Sequence, residues 1–334
     1  MDNKKIKIVS IISIIALALT LVAATYAFFV AQTGEGAQTD VKITSSTVDT
    51  LSFETGSAIN LPCPTDNLYR IIGVFGENNH GVTGKQLVKL IKYDYATSNL
   101  LGTDGDYRGS DTPDSTYYKG SLSSVNTYYW NYKATNNASN TWSTSLLNKI
   151  NLNTNYLNNI GTTWSNLIED ATWKVSGHST GFVTLSEMYT AEITNATKTY
   201  GPSDGTSKIG LVYASDYGFA ASPSAWTKTL VYYNGNDANG TSIKTINWMY
   251  MGNYDWTISP SSSGNGGVFY LDNDGHVDYI YSSYGCGSRP VLYLKASVLY
   301  AGGSGTKDSP ITLVVWQPLV KRGWWGYPPR AAEL

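Results

Sequence analysis

The chain opens with a long uncharged apolar segment, residues 8–31, and this segment constrains where everything behind it can fold. It exceeds the roughly 7–15 apolar residues of an ordinary signal-peptide core and meets the roughly 20 that a membrane-spanning helix needs. Lysines precede it, whereas the first charges after it are the acids Glu35 and Asp40. Because positive charge tends to remain in the cytoplasm, the sequence predicts a cytoplasmic N-terminus, an N-terminal hydrophobic helix and an exported remainder.

The same segment is also compatible with removal after export. Thr25, Tyr26 and Ala27 place small residues at alternate positions, the pattern that a signal peptidase prefers. Residues 24–29 resemble the end of camelysin-type leaders in exported Gram-positive surface and matrix proteins, whose leaders are removed. Residues 1–31 are therefore either a signal anchor, which leaves a single-pass protein on the bacterial cell surface, or a signal peptide, which releases a secreted protein.

The chain is nearly neutral and rich in aromatic, hydroxyl and amide side chains. It carries a formal net charge of -2, 14% charged residues and 26 tyrosines. This balance argues against electrostatic capture of nucleic acid or anionic lipid. Tyr and Trp offer rigid contact area while Ser, Gly and Asn offer adaptable hydrogen bonds, which suits a glycan, a wall polymer or a protein as the partner. The same residue types are also those that a loop-rich fold uses in its turns.

Composition also divides the chain into segments. The chain after residue 31 is long enough for one large domain or two ordinary ones. Residues 32–60 are polar and indicate a stalk, and residues 61–315 are predicted to form one domain. Residues 316–334 lack Ser, Thr and Asn and crowd Trp, Pro and Arg, so we predict an atypical, disordered tail. Cys63 and Cys286 can form at most one disulfide, which an exported location permits, but sequence alone does not decide between a bridge and two separate thiols.

Hydrophobic patterning predicts an α+β fold with short helices. Apolar, β-branched runs at residues 68–75 and 86–93 predict two early strands. Residues 97–140 show no periodicity, which indicates a long loop packed by its own aromatic side chains. Residues 142–168 have apolar positions at helical spacing, and Gly161 interrupts them, so we predict two or three short helices there.

The C-terminal half is predicted to be β-rich after one more helix. Thr184 followed by Glu187 forms a capping-box pattern that begins this helix. The pair Asp274-Gly275 has the chemistry of a tight hairpin turn, because positive φ costs little there. The predicted strands are residues 209–214, 268–271, 276–281 and 289–294.

Several segments together carry a resemblance, namely residues 69–75, 88–92, 142–157, 210–218, 289–294, 303–306 and Pro310. They resemble exported surface domains of Gram-positive gut bacteria, whose C-terminal pattern is similar to C-type-lectin-like folds of the formylglycine-generating and retroelement-diversified type. The resemblance implies a compact C-type-lectin-like α+β domain whose loops present a binding surface, with no catalytic residues. In some relatives of this fold a retroelement diversifies a C-terminal segment. Residues 253–284 have the matching Asn, Tyr, Ser and Asp content, although a plain hairpin accounts for it more simply.

Catalytic motifs are weak, so the sequence predicts a protein that is not an enzyme and needs no cofactor. Residues 177–181 match G-x-S-x-G, but this motif requires a strand-to-helix turn with an acid and then a histidine downstream. Only His276 follows Ser179, and it lies in the predicted hairpin. A serine hydrolase using Ser179 therefore stays as an alternative function. The histidines have no zinc-binding spacing, and Lys85 follows an incomplete phosphate loop.

A metal site at the predicted hairpin is a further alternative. Asp272, Asp274 and Asp278 lie at even offsets around Gly275 and offer the oxygen ligands that calcium prefers. The loop lacks the bidentate acid that closes an EF-hand. A solvated hairpin turn is therefore the simpler interpretation, and a weak calcium site is the other.

Aromatic residues, concentrated in the last third of the chain, are the strongest functional signal. Flat rings can stack on sugars or be buried in interfaces, so we predict an extracellular binding module, with a structural surface or matrix subunit as an alternative. We expect Trp248 and Trp256 to be buried and Tyr254, Tyr281 and Tyr284 to face solvent. The candidate ligand-binding residues are Trp248, Tyr250, Tyr254, Trp256, Tyr279, Tyr281 and Tyr284.

Overall fold

A computed structural model describes residues 39–41, 51–53, 55–61, 68–103, 118–122, 124–131, 139–194, 204–264, 266–296 and 298–315. The fold is mixed α/β, with a β-rich C-terminal half and short helices, as predicted. Within these ranges, no helix has the length and apolar character needed to cross a membrane. The predicted N-terminal anchor or leader, most of the predicted stalk and the predicted tail at 316–334 lie outside the described residues.

The secondary structure consists of many short elements. The strands are β1 (Thr39–Val41), β2 (Leu51–Phe53), β3 (Ala58–Asn60), β4 (Leu68–Phe75), β5 (Leu87–Lys92), β6 (Tyr118–Leu122), β7 (Val125–Tyr129), β8 (Ala171–Trp173), β9 (Gly205–Ser207), β10 (Ile209–Gly210), β11 (Asp255–Pro260), β12 (Gly267–Leu271), β13 (Val277–Tyr281), β14 (Gly285–Cys286), β15 (Val291–Tyr293), β16 (Val298–Gly302) and β17 (Ile311–Val315). The α-helices are α1 (Glu77–His80), α2 (Ser98–Leu101), α3 (Leu157–Asn159), α4 (Thr162–Ser165), α5 (Leu185–Tyr189), α6 (Ala214–Phe219) and α7 (Ile243–Ile246). Short 3-10 helices span Trp142–Thr144, Pro223–Ala225 and Leu230–Tyr232, and π-helical turns span Leu147–Tyr156 and Thr190–Thr194.

The largest sheet has seven strands in the order β10-β15-β5-β4-β3-β17-β16. β4 and β5 pair antiparallel, which confirms the two predicted early strands. β15 comes from the predicted strand at residues 289–294 and pairs with β5. β3 pairs antiparallel with β4 and parallel with β17, so the sheet includes residues 58–60 of the range predicted as stalk. Strands from both ends of the domain therefore meet in one sheet.

A smaller antiparallel sheet, β11-β12-β13, carries the predicted hairpin. β12 and β13 pair from Gly267 opposite Tyr281 to Leu271 opposite Val277, which confirms the hairpin. Gly275 adopts a φ of 99°, a value that favours glycine and explains why the turn falls there. The remaining small sheets are β14-β7-β6, β8-β9 and β1-β2.

The helical predictions are confirmed between residues 142 and 168. The π-helical turn continues into α3, and Gly161 ends this run with a φ of 84° before α4 begins. The capping box at α5 is present as predicted: the Glu187 amide donates to the Thr184 hydroxyl at 3.4 Å, and the Thr184 amide donates to the Glu187 carboxylate at 2.8 Å. The Glu187 carboxylate thus satisfies the amide of the N-cap residue Thr184, which fixes the start of α5.

Two predictions of secondary structure are wrong. Residues 97–140, predicted as a loop, contain α2, β6 and β7. Strand β7 pairs with β14, which lies far along the chain, so the local sequence shows no periodicity that would reveal it. Residues 209–214, predicted as a strand, form only the two-residue β10. The chain turns into α6 at Ala214, where the Asp216 carboxylate accepts the Tyr213 amide at 3.1 Å and satisfies a donor at the helix start.

Tryptophan builds much of the core. The rings of Trp130 and Trp142 lie 5.1 Å apart in a tilted arrangement. The Trp130 side chain also binds the backbone, since its Nε1 donates to the carbonyl of Thr257 at 3.0 Å. The fully buried tryptophans are Trp130, Trp142, Trp164, Trp173 and Trp256. Much of the aromatic content that suggests ligand binding in the sequence therefore serves packing.

Candidate functional site

Five large aromatic side chains in the described part of the chain remain exposed to solvent. Their exposed fractions are Phe182 64%, Tyr232 57%, Tyr279 37%, Tyr281 67% and Tyr284 54%. The fully buried aromatic side chains of the core are less than 2% exposed. These five residues, called here the aromatic surface, come from three segments of the chain.

Strand β13 supplies the first two rings. Tyr279 and Tyr281 are two residues apart, so the pleat of the strand points both side chains to the same face. Tyr279 packs edge-on against Phe269 of β12, with ring centroids 5.7 Å apart. Tyr281 lies opposite Gly267, which has no side chain to cover it. The strand thus fixes the spacing of both rings while leaving Tyr281 open to solvent.

The turn after β13 adds Tyr284. Its amide donates to the carbonyl of Tyr281 at 2.9 Å, so the two residues lie at opposite ends of one tight turn. The turn leads directly into β14, which pairs with β7 of a different sheet. Both ends of the segment that carries Tyr284 are therefore anchored in sheets.

Phe182 and Tyr232 form an edge-to-face pair beside β13. Their rings meet edge-on with centroids 6.0 Å apart. The 3-10 helix that ends at Tyr232 packs on β13, and a β-carbon on Gly181 would lie 2.7 Å from the carbonyl oxygen of Val277. Because Gly181 precedes Phe182 directly, its missing side chain lets this loop approach the start of β13. The pair therefore borders the start of β13, the strand that carries Tyr279 and Tyr281.

The other predicted binding residues are occupied in packing. Trp256 is fully buried, and its Nε1 donates to the carbonyl of Tyr128 at 2.7 Å, so its ring has no access to a ligand outside the domain. Trp248 is half-buried and has the Arg70 guanidinium 5.7 Å from its ring centroid. The prediction that Trp256 is buried is thus confirmed, whereas Trp248 is only partly covered.

Tyr250 and Tyr254 are also half-buried. The Tyr250 hydroxyl donates to the carbonyl of Asn273 at 2.7 Å, which ties it to the hairpin turn. The ring of Tyr254 lies 6.0 Å from that of Tyr270. Both tyrosines support the hairpin that carries part of the aromatic surface, and Tyr254 does not project into solvent as we expected.

The sequence did not identify Phe182 and Tyr232 as site residues. Neither lies in a segment whose periodicity indicates exposure, and their proximity to β13 depends on how distant segments pack. One signal was available in the sequence. Gly181 and Thr184 flank Phe182, and a glycine followed by a helix cap predicts a surface turn.

The hairpin turn gathers a second group of polar side chains. Asp272, Asp274 and His276 each offer a ligand atom, and these atoms lie within 4.8 Å of one another. His276 Nδ1 lies 2.5 Å from Asp274 Oδ1, and Nε2 lies 3.8 Å from Asp272 Oδ2. The third predicted calcium ligand, Asp278, does not belong to this group. Its carboxylate accepts the amide of Tyr279 at 2.8 Å instead.

The ligand set changes which metal could fit the turn. One imidazole with two carboxylates suits zinc-like ions better than calcium, which favours several oxygen ligands. Protein donors already use both carboxylates: the Tyr270 hydroxyl donates to Asp272 at 2.8 Å and the Asn234 amide donates to Asp274 at 3.0 Å. Burial tends to raise the pKa of Asp274, but the bonds from Asn234 and His276 hold this pKa below its usual value. Hydrogen bonding alone accounts for the geometry of this turn.

Ser179 lacks the environment of a catalytic nucleophile in the described residues. It lies on an exposed bend, and no described side chain hydrogen-bonds to its hydroxyl. Helix α5 begins only at Leu185, so Ser179 is not at a strand-to-helix elbow. The downstream His276 is engaged with Asp274 in the hairpin turn.

Cys286 is buried in β14. Its candidate disulfide partner, Cys63, lies outside the described residues, so the pairing stays a prediction.

Comparisons with known proteins do not add to this geometry. No protein-family model matches the chain, no curated protein matches it, and no solved structure matches it.

Proposed function

We propose that this protein is an extracellular binding module that recognises a sugar-containing polymer, either a glycan or a wall polymer, through its aromatic surface. The observation that carries the proposal is the exposure of five large rings beside one strand of an otherwise well-packed domain. Exposing such rings forfeits the free energy of burying them, about 1.5–3 kcal/mol for a large apolar side chain. A ligand that covers the rings would recover this free energy.

The geometry favours a sugar-containing ligand over a flat protein partner. The tyrosines on β13 stand on a regular strand, which fixes the separation of successive rings at the two-residue repeat. Tyr and Phe present rigid faces at low entropic cost. Exposed polar groups lie at the turn end of the β12-β13 hairpin, where Asn234 donates to Asp274 at 3.0 Å, and such groups can bind hydroxyl groups at the edges of a sugar ring. A protein ligand is the other outcome of the test below.

The proposed architecture is a C-type-lectin-like α+β domain. Two features support it. Strands from both ends of the domain close one sheet through the β3-β17 pair, and a smaller sheet, β11-β12-β13, lies in the connection between α7 and β14 and carries part of the candidate binding surface. The resemblance implies that the loops of such a domain present the binding surface.

We place the module at the bacterial cell surface. The uncharged segment at residues 8–31 behind N-terminal lysines supports a single-pass anchor with a cytoplasmic N-terminus. Removal of this segment would instead give a secreted protein with the same binding domain. The mass of the mature N-terminus, measured on protein from the native host, decides between display and release.

The experiment that tests the function is a binding screen with the full chain in detergent. The chain is applied to an array of glycans, wall polysaccharides and peptidoglycan fragments, and to immobilised surface proteins in parallel. Saturable binding to sugar-containing polymers supports the proposal. Binding confined to proteins, or no binding on either array, would overturn it.

A further inference from the structure

A lysine and an aspartate meet at the centre of the domain. Lys89 Nζ lies 2.5 Å from Asp216 Oδ2. Lys89 is on β5 in the middle of the large sheet, and Asp216 is in the first turn of α6, so the contact joins two elements that are 127 residues apart in sequence. The side chains are only 1% and 7% exposed.

Aromatic rings enclose the lysine and exclude water from the pair. Lys89 Nζ lies 4.4 Å from the ring centroid of Tyr213 and 5.2 Å from that of Phe75. The rings of Tyr293 and Trp173 follow at 5.8 Å and 5.9 Å. All four of these aromatic side chains are buried. Burial lowers the pKa of Lys89, even though Asp216 opposes the change, so the free-energy cost of forming the uncharged, nucleophilic amine is reduced.

A second buried acid borders the pair. The Glu192 carboxylate accepts the amides of Ala214 at 3.0 Å and Ser215 at 3.2 Å, the two residues directly before Asp216. Burial raises the pKa of Glu192 to about 7, so this group carries a proton in part of the population at neutral pH. The domain thus places an amine, a carboxyl group and a proton-carrying acid together in a dry interior.

We propose that Lys89 and Asp216 condense to an intramolecular isopeptide bond that cross-links strand β5 to helix α6. A proton first passes from the ammonium to the carboxylate, which leaves a neutral amine and a neutral acid. Lys89 Nζ attacks Asp216 Cγ, the C–N bond forms, and the C–O bond to the hydroxyl breaks. The hydroxyl leaves with a proton from the nitrogen as one molecule of water, so the balance needs no oxidant and no other reactant. Because the fold holds the two groups in contact, the condensation is intramolecular, which lowers its free-energy barrier.

Glu192 is the positioning residue for this condensation. It lies close enough for its charge to act on the pKa of Lys89, and in its protonated form it adds no negative charge that would hold the amine as an ammonium. Its bonds to Ala214 and Ser215 fix the helix start that carries Asp216.

Peptide mapping of the full chain tests the cross-link directly. Trypsin cuts after lysine, but an acylated Lys89 is not cut, so the bridged protein yields one branched peptide that joins residues 86–92 to residues 209–228. Its mass is lower than the sum of the two linear peptides by one water molecule. Recovery of linear peptides 86–89 and 209–228 alone from the folded protein would overturn the proposal.

Two substitutions of Asp216 test which residue accepts the amine. Asp216→Asn can form the same amide with loss of ammonia, so its branched peptide has the same mass as that of the wild type. Asp216→Ala cannot form it and should yield linear peptides only. If Asp216→Ala still yields a branched peptide that joins residues 86–92 to residues 209–228, the link does not involve Asp216, and the assignment is contradicted.

The role of Glu192 has its own readout. We expect Glu192→Gln to fold, as judged by circular dichroism, and to leave the Lys89 peptide mostly linear, while Glu192→Asp restores part of the branched product. A purely structural residue would change folding without changing the bridged fraction of the folded protein. Full bridging in folded Glu192→Gln would overturn the role of Glu192.

Discussion

Arg289 Nε donates to Asp255 Oδ2 at 2.6 Å in a part of the core where both side chains are only 1% exposed. Arg289 Nη2 also donates to the carbonyl of Met249 at 3.0 Å. The pair connects the start of β11, in the small sheet, to the segment just before β15, in the large sheet. The sheet that carries the β13 tyrosines is therefore tied to the rest of the domain by a buried ion pair.

Breaking this pair should destabilise the domain strongly. Arg289→Met leaves the Asp255 carboxylate buried without its cation, and removal of one partner of a buried pair costs about 3–5 kcal/mol. The double variant Asp255→Asn with Arg289→Met removes both charges and should recover a large part of that loss. Urea unfolding followed by circular dichroism measures both changes. A single variant as stable as the wild type would contradict the prediction.

The turn of the β12-β13 hairpin depends on Gly275. Its φ of 99° strains any residue with a β-carbon, and a β-carbon there would also lie 2.8 Å from the side chain of Lys244. Gly275→Ala should therefore lower the free energy of unfolding by about 1 kcal/mol or more. Gly264→Ala is the matched control, because a β-carbon on Gly264 would meet no other atom within 4 Å and the φ of this glycine lies outside the left-handed region. In thermal unfolding, Gly275→Ala should lower the melting temperature more than Gly264→Ala does. An equal decrease in the two variants would contradict strain at the turn.

Glu192 should make stability depend on pH. Its pKa rises to about 7 in the folded protein because it is buried, whereas the unfolded chain has the ordinary value near 4.5. The folded state therefore binds more protons between these values, so this contribution is complete below pH 4.5 and is lost as the pH rises through 7. A shift of this size corresponds to on the order of 3 kcal/mol.

The measurement compares wild type with Glu192→Gln in urea at pH 5 and pH 8. The free energy of unfolding of the wild type should fall relative to the variant as the pH rises. The titratable groups that act on Glu192 include Asp216 and Lys89, which the proposed cross-link consumes in the wild type but leaves free in Glu192→Gln. The cross-link therefore adds an offset to the difference in stability, and only the change of that difference between pH 5 and pH 8 tests the prediction. A constant difference would contradict the prediction.

Local sequence signals predicted those parts of the fold that depend on neighbouring residues. The turn at Gly275, the break at Gly161 and the cap at Thr184 are each set within a few positions, and each is present. By contrast, β7 is paired with β14 across the chain, and its surroundings show no periodicity. Its existence depends on a distant partner that a local pattern does not reveal.

The candidate site was only partly predictable for the same reason. All six residues of β11 are buried, so both faces of this strand are covered and alternation gives no guide to the position of Trp256. The exposed pair Phe182 and Tyr232 comes together through packing on β13. Of the three tyrosines expected to face solvent, Tyr281 and Tyr284 are exposed and Tyr254 is half-buried.

The most direct test of the proposed function compares two triple variants on the glycan and wall-polymer array. Phe182→Ala with Tyr232→Ala and Tyr281→Ala removes three rings, whereas Phe182→Tyr with Tyr232→Phe and Tyr281→Phe keeps every ring. Because the positions are exposed, both variants should fold with stability close to that of the wild type. Alanine at a binding hot spot costs about 2 kcal/mol or more, so the account predicts at least a tenfold loss of binding for the alanine variant and near wild-type binding for the ring-keeping variant. Equal binding by the alanine variant and the wild type would contradict the account.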